Sequence, residues 1–77
     1  MNIKPGLLVR GSNLNKEMVG IVVDSRVSSI DNKEWSVFTV RFQRSDNTLA
    51  IYAGCESGAH YVSGYKEAPT EISLVRG

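Results

Sequence analysis

The chain has 77 residues, of which 42% are hydrophobic, and nine basic against eight acidic side chains leave a formal net charge of +1. That length supports a single domain over residues 1–77 with one small core, and the near-neutral balance argues against a dedicated electrostatic binder of nucleic acid. The lone cysteine, Cys55, excludes an intramolecular disulfide, and the longest apolar run, Ile21-Val22-Val23, falls far short of the roughly 20 residues a helix needs to cross a bilayer. With no apolar core of signal-peptide length near the N-terminus, a cytoplasmic location is expected and no membrane association.

Lys4-Pro5-Gly6 is a turn signal leading into Leu7-Leu8-Val9-Arg10, a short strand with Leu7 and Val9 on one face and Leu8 and Arg10 on the other. Residues 11–17 form a polar loop in which Leu14 is expected to cap one end of the core. The second strand, within residues 18–27, is dense in β-branched side chains. Val19, Ile21 and Val23 share one face, and Gly20, Val22 and Asp24 share the other. Gly20 is expected to mark a bulge or a sharp bend. Residues 28–34 read as a long, mobile, polar loop, because Asp31-Asn32-Lys33 is turn chemistry without the Asn-Gly pair that fixes register tightly.

The third strand, residues 35–42, alternates Phe38, Val40 and Phe42 against Val37, Thr39 and Arg41. After a turn over 43–48, Leu49, Ile51 and Ala53 alternate with Ala50 and Tyr52 in a fourth strand. Residues 54–69 show no clear period and read as one long irregular loop, of which 60–65 is the part suited to extend the sheet. A closing strand follows, with Ile72 and Leu74 on one face. About five short strands without a sustained helical period predict an all-β fold, a small antiparallel barrel with the long loop before its last strand. Closure would also remove exposed edges.

The order Lys4-Pro5-Gly6-Leu7-Leu8-Val9-Arg10, Val19-Gly20-Ile21-Val22-Val23, Phe38-Thr39-Val40-Arg41-Phe42 and Glu71-Ile72-Ser73-Leu74-Val75 resembles the small SH3-like barrels. Many proteins of that kind are encoded by bacteriophages and have no assigned function. The resemblance implies an SH3-like barrel and no particular chemistry, since its motifs are short, apolar and structural. The chain departs from the pattern at Leu7, where such proteins often carry an acidic residue. It departs again at Ser45-Asp46-Asn47, where an Asp-Gly turn is common, and in the longer insertion over 54–69.

Chemistry-bearing residues are sparse. Cys55 and His60 fall short of the three or four ligands of a zinc site, and spacing supplies no third group to orient them for nucleophilic catalysis. A structural role is expected for both. The glycines at 54, 58 and 64 lack the strand–loop–helix setting of a phosphate cradle, and no carboxylate pair stands out. The expectation is a non-enzymatic protein with no metal, cofactor or small-molecule substrate.

The aromatic and basic residues are more informative. Strict alternation sets Trp35 opposite Phe38, Val40 and Phe42, and Tyr52 opposite Leu49 and Ile51. Trp35, Arg41 and Tyr52 are therefore expected to face solvent together, with Tyr65 and Tyr61 near them, a composition typical of protein-interface hot spots. The competing expectation has Trp35 covering the open end of the barrel and the tyrosines closing the long loop. The functional expectation is an interaction module, phage-encoded by resemblance, that binds a protein partner or assembles into a larger particle, as a virion component or a host-factor binder. The alternative is a nucleic-acid-binding barrel of the KOW type, with Arg26, Arg41, Arg44 and Lys66 on the phosphates.

Overall fold

Stiff β-branched and aromatic side chains at period two drive much of the chain into strands. The computed structural model describes residues 3–13, 15–43, 49–55 and 58–75, with Ile30 and Cys55 described by their backbone alone. Its elements are β1 (Leu8–Asn13), β2 (Lys16–Ile30), β3 (Lys33–Phe42), β4 (Leu49–Cys55), β5 (Gly58–Gly64) and β6 (Glu71–Leu74). Each strand pairs antiparallel with the next and β6 returns to β1, so six strands close a barrel. The all-β antiparallel barrel is the class that the alternation predicts. Among the described residues no helix is long and apolar enough to cross a membrane.

The strand count is six rather than five because the stretch read as one loop over 54–69 is largely sheet. Gly54 and Cys55 continue β4, and β5 pairs back along it through Gly54 with Ala59, Ala53 with His60 and Tyr52 with Tyr61. Gly58, Ala59, Ser63 and Gly64 have little β preference of their own, so neighbours on both sides hold this strand. The irregular remainder is short. Ala68 and Pro69 are buried, and Asn13 Nδ2 donates to the Glu67 carbonyl at 2.6 Å, which ties the segment to the end of β1.

A second correction concerns residues 28–34. β2 and β3 stay paired out to Ile30 and Lys33, and Asp31 and Asn32 between them have φ of 51° and 64°. Two left-handed residues in a two-residue connection make a type I′ turn, whose twist matches that of the strands. Asp and Asn tolerate this conformation through their short polar side chains, so no glycine is needed. The expected loop is a tight hairpin at the end of a two-stranded arm. β2 does contain a bulge, but it lies between Val22 and Asp24 rather than at Gly20. Gly20 instead lets β3 come close, since a Cβ there would sit 2.6 Å from Val40 Cγ1.

Lys4-Pro5-Gly6-Leu7 is a type II turn, with Gly6 at φ 97° and the Leu7 N–H donating to the Lys4 carbonyl at 3.3 Å. It fastens the chain to β2, because the Gly6 N–H donates to Val22 O and the Val22 N–H donates to Leu7 O. Val9, Val22, Phe38, Val40, Phe42, Ala50 and Tyr52 fill the interior, joined by Ile3, Met18, Ala59, Ala68 and Ile72. The faces expected for Leu7 and Val9, for Phe38, Val40 and Phe42, and for Ile72 and Leu74 are the ones found. The Leu14 cap and the 44–48 part of the third turn lie outside the described residues.

Candidate partner-binding groove

Tyr52 is fully buried, which corrects its expected place on the solvent face. The inner face of β4 is Ala50, Tyr52 and Gly54, while Leu49 and Ile51 point outward. Packing decides this. The Tyr52 ring fits beside Phe38 and Phe42 because its inward-facing neighbours on β4, Ala50 and Gly54, have almost no side chain. The Tyr52 ring lies 6.1 Å from Phe38, 6.2 Å from Phe42 and 6.0 Å from Tyr61, and its hydroxyl donates to the Pro69 carbonyl at 2.6 Å. Burial, with Tyr61 beside it, pushes the phenol well above the ordinary tyrosine range.

Trp35 does face outward. It sits near the start of β3, paired with Ser28 across the hairpin, next to the inward-facing Ser36, and is 39% exposed. It lines an open groove of about 990 Å³ together with Arg10, Ser12, Glu17, His60, Glu71 and Ser73. β1, β5 and β6 supply most of these residues because closure of the barrel brings the first strand beside the last. Gly58, half-buried, leaves backbone bare on the groove surface, and the buried Gly54 beside it lets β5 come close, since a Cβ there would run into the Gly58 carbonyl oxygen.

The groove carries charges of both signs. Arg10 Nε lies 2.6 Å from Glu17 Oε1, and His60 Nδ1 lies 3.8 Å from Glu71 Oε1. Both pairs are exposed, so each adds little to stability and stays open to exchange for charges on a partner. Among the described residues no three His, Cys, Asp or Glu side chains converge as a metal site. What the surface offers is an aromatic ledge, bare backbone and charges of both signs.

The remaining candidates do not join Trp35. Arg41 is exposed at the other end of β3, opposite Ile21 and Leu49. Tyr65 is half-buried beside Leu49, whose carbonyl accepts the Tyr65 N–H, and its hydroxyl donates to Glu67 Oε2 at 2.9 Å. Arg41, Leu49 and Tyr65 thus form a neighbourhood of their own, with Lys66 exposed next in the chain. Arg26 is exposed opposite Val37, with Asp24 two residues away along β2. Arg44 and the side chain of Cys55 lie outside the described residues. Arg10, Glu17 and Glu71 escape a reading by alternation: the β1 and β2 hairpin sets Glu17 beside Arg10, and the β1 and β6 seam brings Glu71 to them. Comparisons of the chain with protein-family models, curated proteins and solved structures find no match.

Proposed function

We propose that this barrel is a non-enzymatic interaction module that holds a protein partner in the groove beside Trp35. The observation that carries the reading is the chain's single tryptophan standing outside the core on the wall of that groove. Burying such a ring against a partner recovers a large apolar area, and Trp with Arg dominates interface energetics. Assembly into a larger particle uses the same chemistry, and the phage setting in host cytoplasm or virion belongs to this proposal through the resemblance alone.

The test is selection of displayed peptides on the barrel, followed by affinity measurement on variants. Peptides that bind are expected to lose at least about tenfold with Trp35→Ala and several-fold with Arg10→Ala, while Arg41→Ala leaves affinity unchanged. Equal affinity for Trp35→Ala and the parent, at an unchanged thermal midpoint, would sink the reading. Nucleic acid is the lesser partner, because Asp24 breaks the basic surface at Arg26 and Glu67 adjoins Lys66. Binding to DNA or RNA that falls steeply with salt would promote it instead.

A further inference from the structure

Pairing along the β2 and β3 arm fixes which of its backbone groups are free. A two-residue turn closes on a pair that exchanges both hydrogen bonds, here Ile30 with Lys33. Alternation of the antiparallel ladder gives the same status to Ser28 with Trp35, Arg26 with Val37 and Asp24 with Thr39. Ser25, Val27 and Ser29 lie between them and turn their N–H and C=O groups to the opposite edge of β2. β1 does not extend along that edge. Its pairing with β2 stops at Leu8 and Ile21, followed only by the bonds of Val22 with Leu7 and Gly6. Among the described residues no backbone bond reaches Ser25, Val27 or Ser29 from that side, and Val27 is 66% exposed.

We infer that this edge pairs with the same edge of a second copy of the chain, antiparallel, about a two-fold axis at Val27. An isologous contact of this kind needs a segment that complements itself when reversed, and this one does. An axis at Val27 sets Ser25 against Ser29 and Ser29 against Ser25, so all three outward-turned residues bond across the axis. An axis at Ser25 would instead set Val27 against Val23, which lies in the bulge. An axis at Ser29 would set Ser25 against Lys33, beyond the turn.

Charge agrees with the same register. Arg26 meets Ser28 and Asp24 meets position 30, so no charged residue stands directly opposite a like charge. Asp24 also shares the outer face with Arg26 and offsets it. At the axis the two Val27 side chains cover each other, and Val27 is the most exposed of the large hydrophobic residues among those described. Between Asp24 and Ile30 the edge lacks the lysines and prolines with which edge strands are usually blunted. The contact is short, below the size of a stable interface, so the dimer forms at high protein concentration. This inference rests on backbone pairing and does not depend on the groove.

Sedimentation equilibrium on the intact chain, from micromolar to millimolar, is expected to move from 8.5 kDa towards twice that mass. Val27→Pro removes the donor at the axis. Its N–H points away from β3, so the hairpin keeps its own bonds, and the variant is expected to stay monomeric with an unchanged strand spectrum. A second measurement guards against misfolding of that variant. In a Cys55→Ser background, Val27→Cys is expected to give disulfide-linked dimers under oxidised glutathione, with two thiols joined as one disulfide. Val62→Cys, on another exposed site, in β5, is not. A mass fixed at 8.5 kDa at every concentration overturns the inference. So does cross-linking of Val62→Cys as readily as Val27→Cys, or a folded Val27→Pro that dimerises like the parent.

Discussion

On the β1 side of the bulge at Val23, β2 runs between β1 and β3; beyond it, β2 has β3 alone. The residue types are similar on both sides, valines alternating with small or polar neighbours, but their fates differ. Val22 and Val40 are buried in the body of the barrel, whereas Val27, on the arm, is mostly exposed. In the body, a side chain turned inward joins the closed core, and burial supplies the stability. In the arm the same pattern meets nothing on one face, and a two-stranded ribbon is marginal in water. Order there depends on the root at Ser36 and on the I′ turn. The comparison separates what patterning does alone from what closure adds.

The largest expected effect lies in the body. Phe38→Ala should cost about 3–5 kcal/mol, most of what a domain of this size has, while Val27→Ala in the arm should cost less than about 0.5 kcal/mol. Urea titration of both variants checks this, and similar midpoints would erase the distinction. Tyr52→Phe comes next, at about 1–2 kcal/mol, because it leaves the Pro69 carbonyl without its buried donor. Its pH dependence has a defined sign. The folded protein holds the Tyr52 proton more tightly than the unfolded chain does, so this stabilisation is complete below the ordinary tyrosine pKa near 10. It is lost as pH rises beyond that value towards the folded pKa. Stability should therefore fall at alkaline pH in the parent and fall less in Tyr52→Phe, as followed by thermal melts.

The smallest effect belongs to the turn. Asn32→Gly places the residue best suited to φ 64° in a position now held by Asn. It should slow amide exchange in the arm and stabilise the hairpin by about 0.5 kcal/mol or less. Faster exchange in that variant would mean that the Asn32 side chain itself holds the turn.

Much of the fold was legible because alternation is a local signal. Leu7 with Val9, and Phe38 with Val40 and Phe42, share faces by chain geometry alone, and the inner face followed from its greater bulk. The same logic misplaced Tyr52. In β4 both faces are apolar, and Leu49 with Ile51 looks the more hydrophobic choice. The barrel nevertheless takes Tyr52, because its hydroxyl finds Pro69 and the neighbours Ala50 and Gly54 leave it room. That partner is seventeen residues away in sequence and invisible to a period of two. β5 was hidden for a related reason, since glycine, alanine and serine form strands only where flanking strands hold them. In the site, Trp35 was found by its position in β3. Arg10 and Glu71 were not, because nothing in the chain order announces that its first and last strands touch, and Glu17 was not, because residues 11–17 read as a loop rather than as the hairpin that sets it beside Arg10.

That contact between first and last strands bears on how the barrel forms. Every other pairing joins strands consecutive in the chain, so it can grow hairpin by hairpin with little loop to close. The seam between β1 and β6 is the exception, a ring closure whose ends lie almost a whole chain apart. β6 brings only Glu71–Leu74 to it, the shortest strand of the barrel. The groove surfaces contributed by Arg10 and Glu71 meet only once that seam has shut. The groove is thus complete only after the least local pairing of the fold has formed.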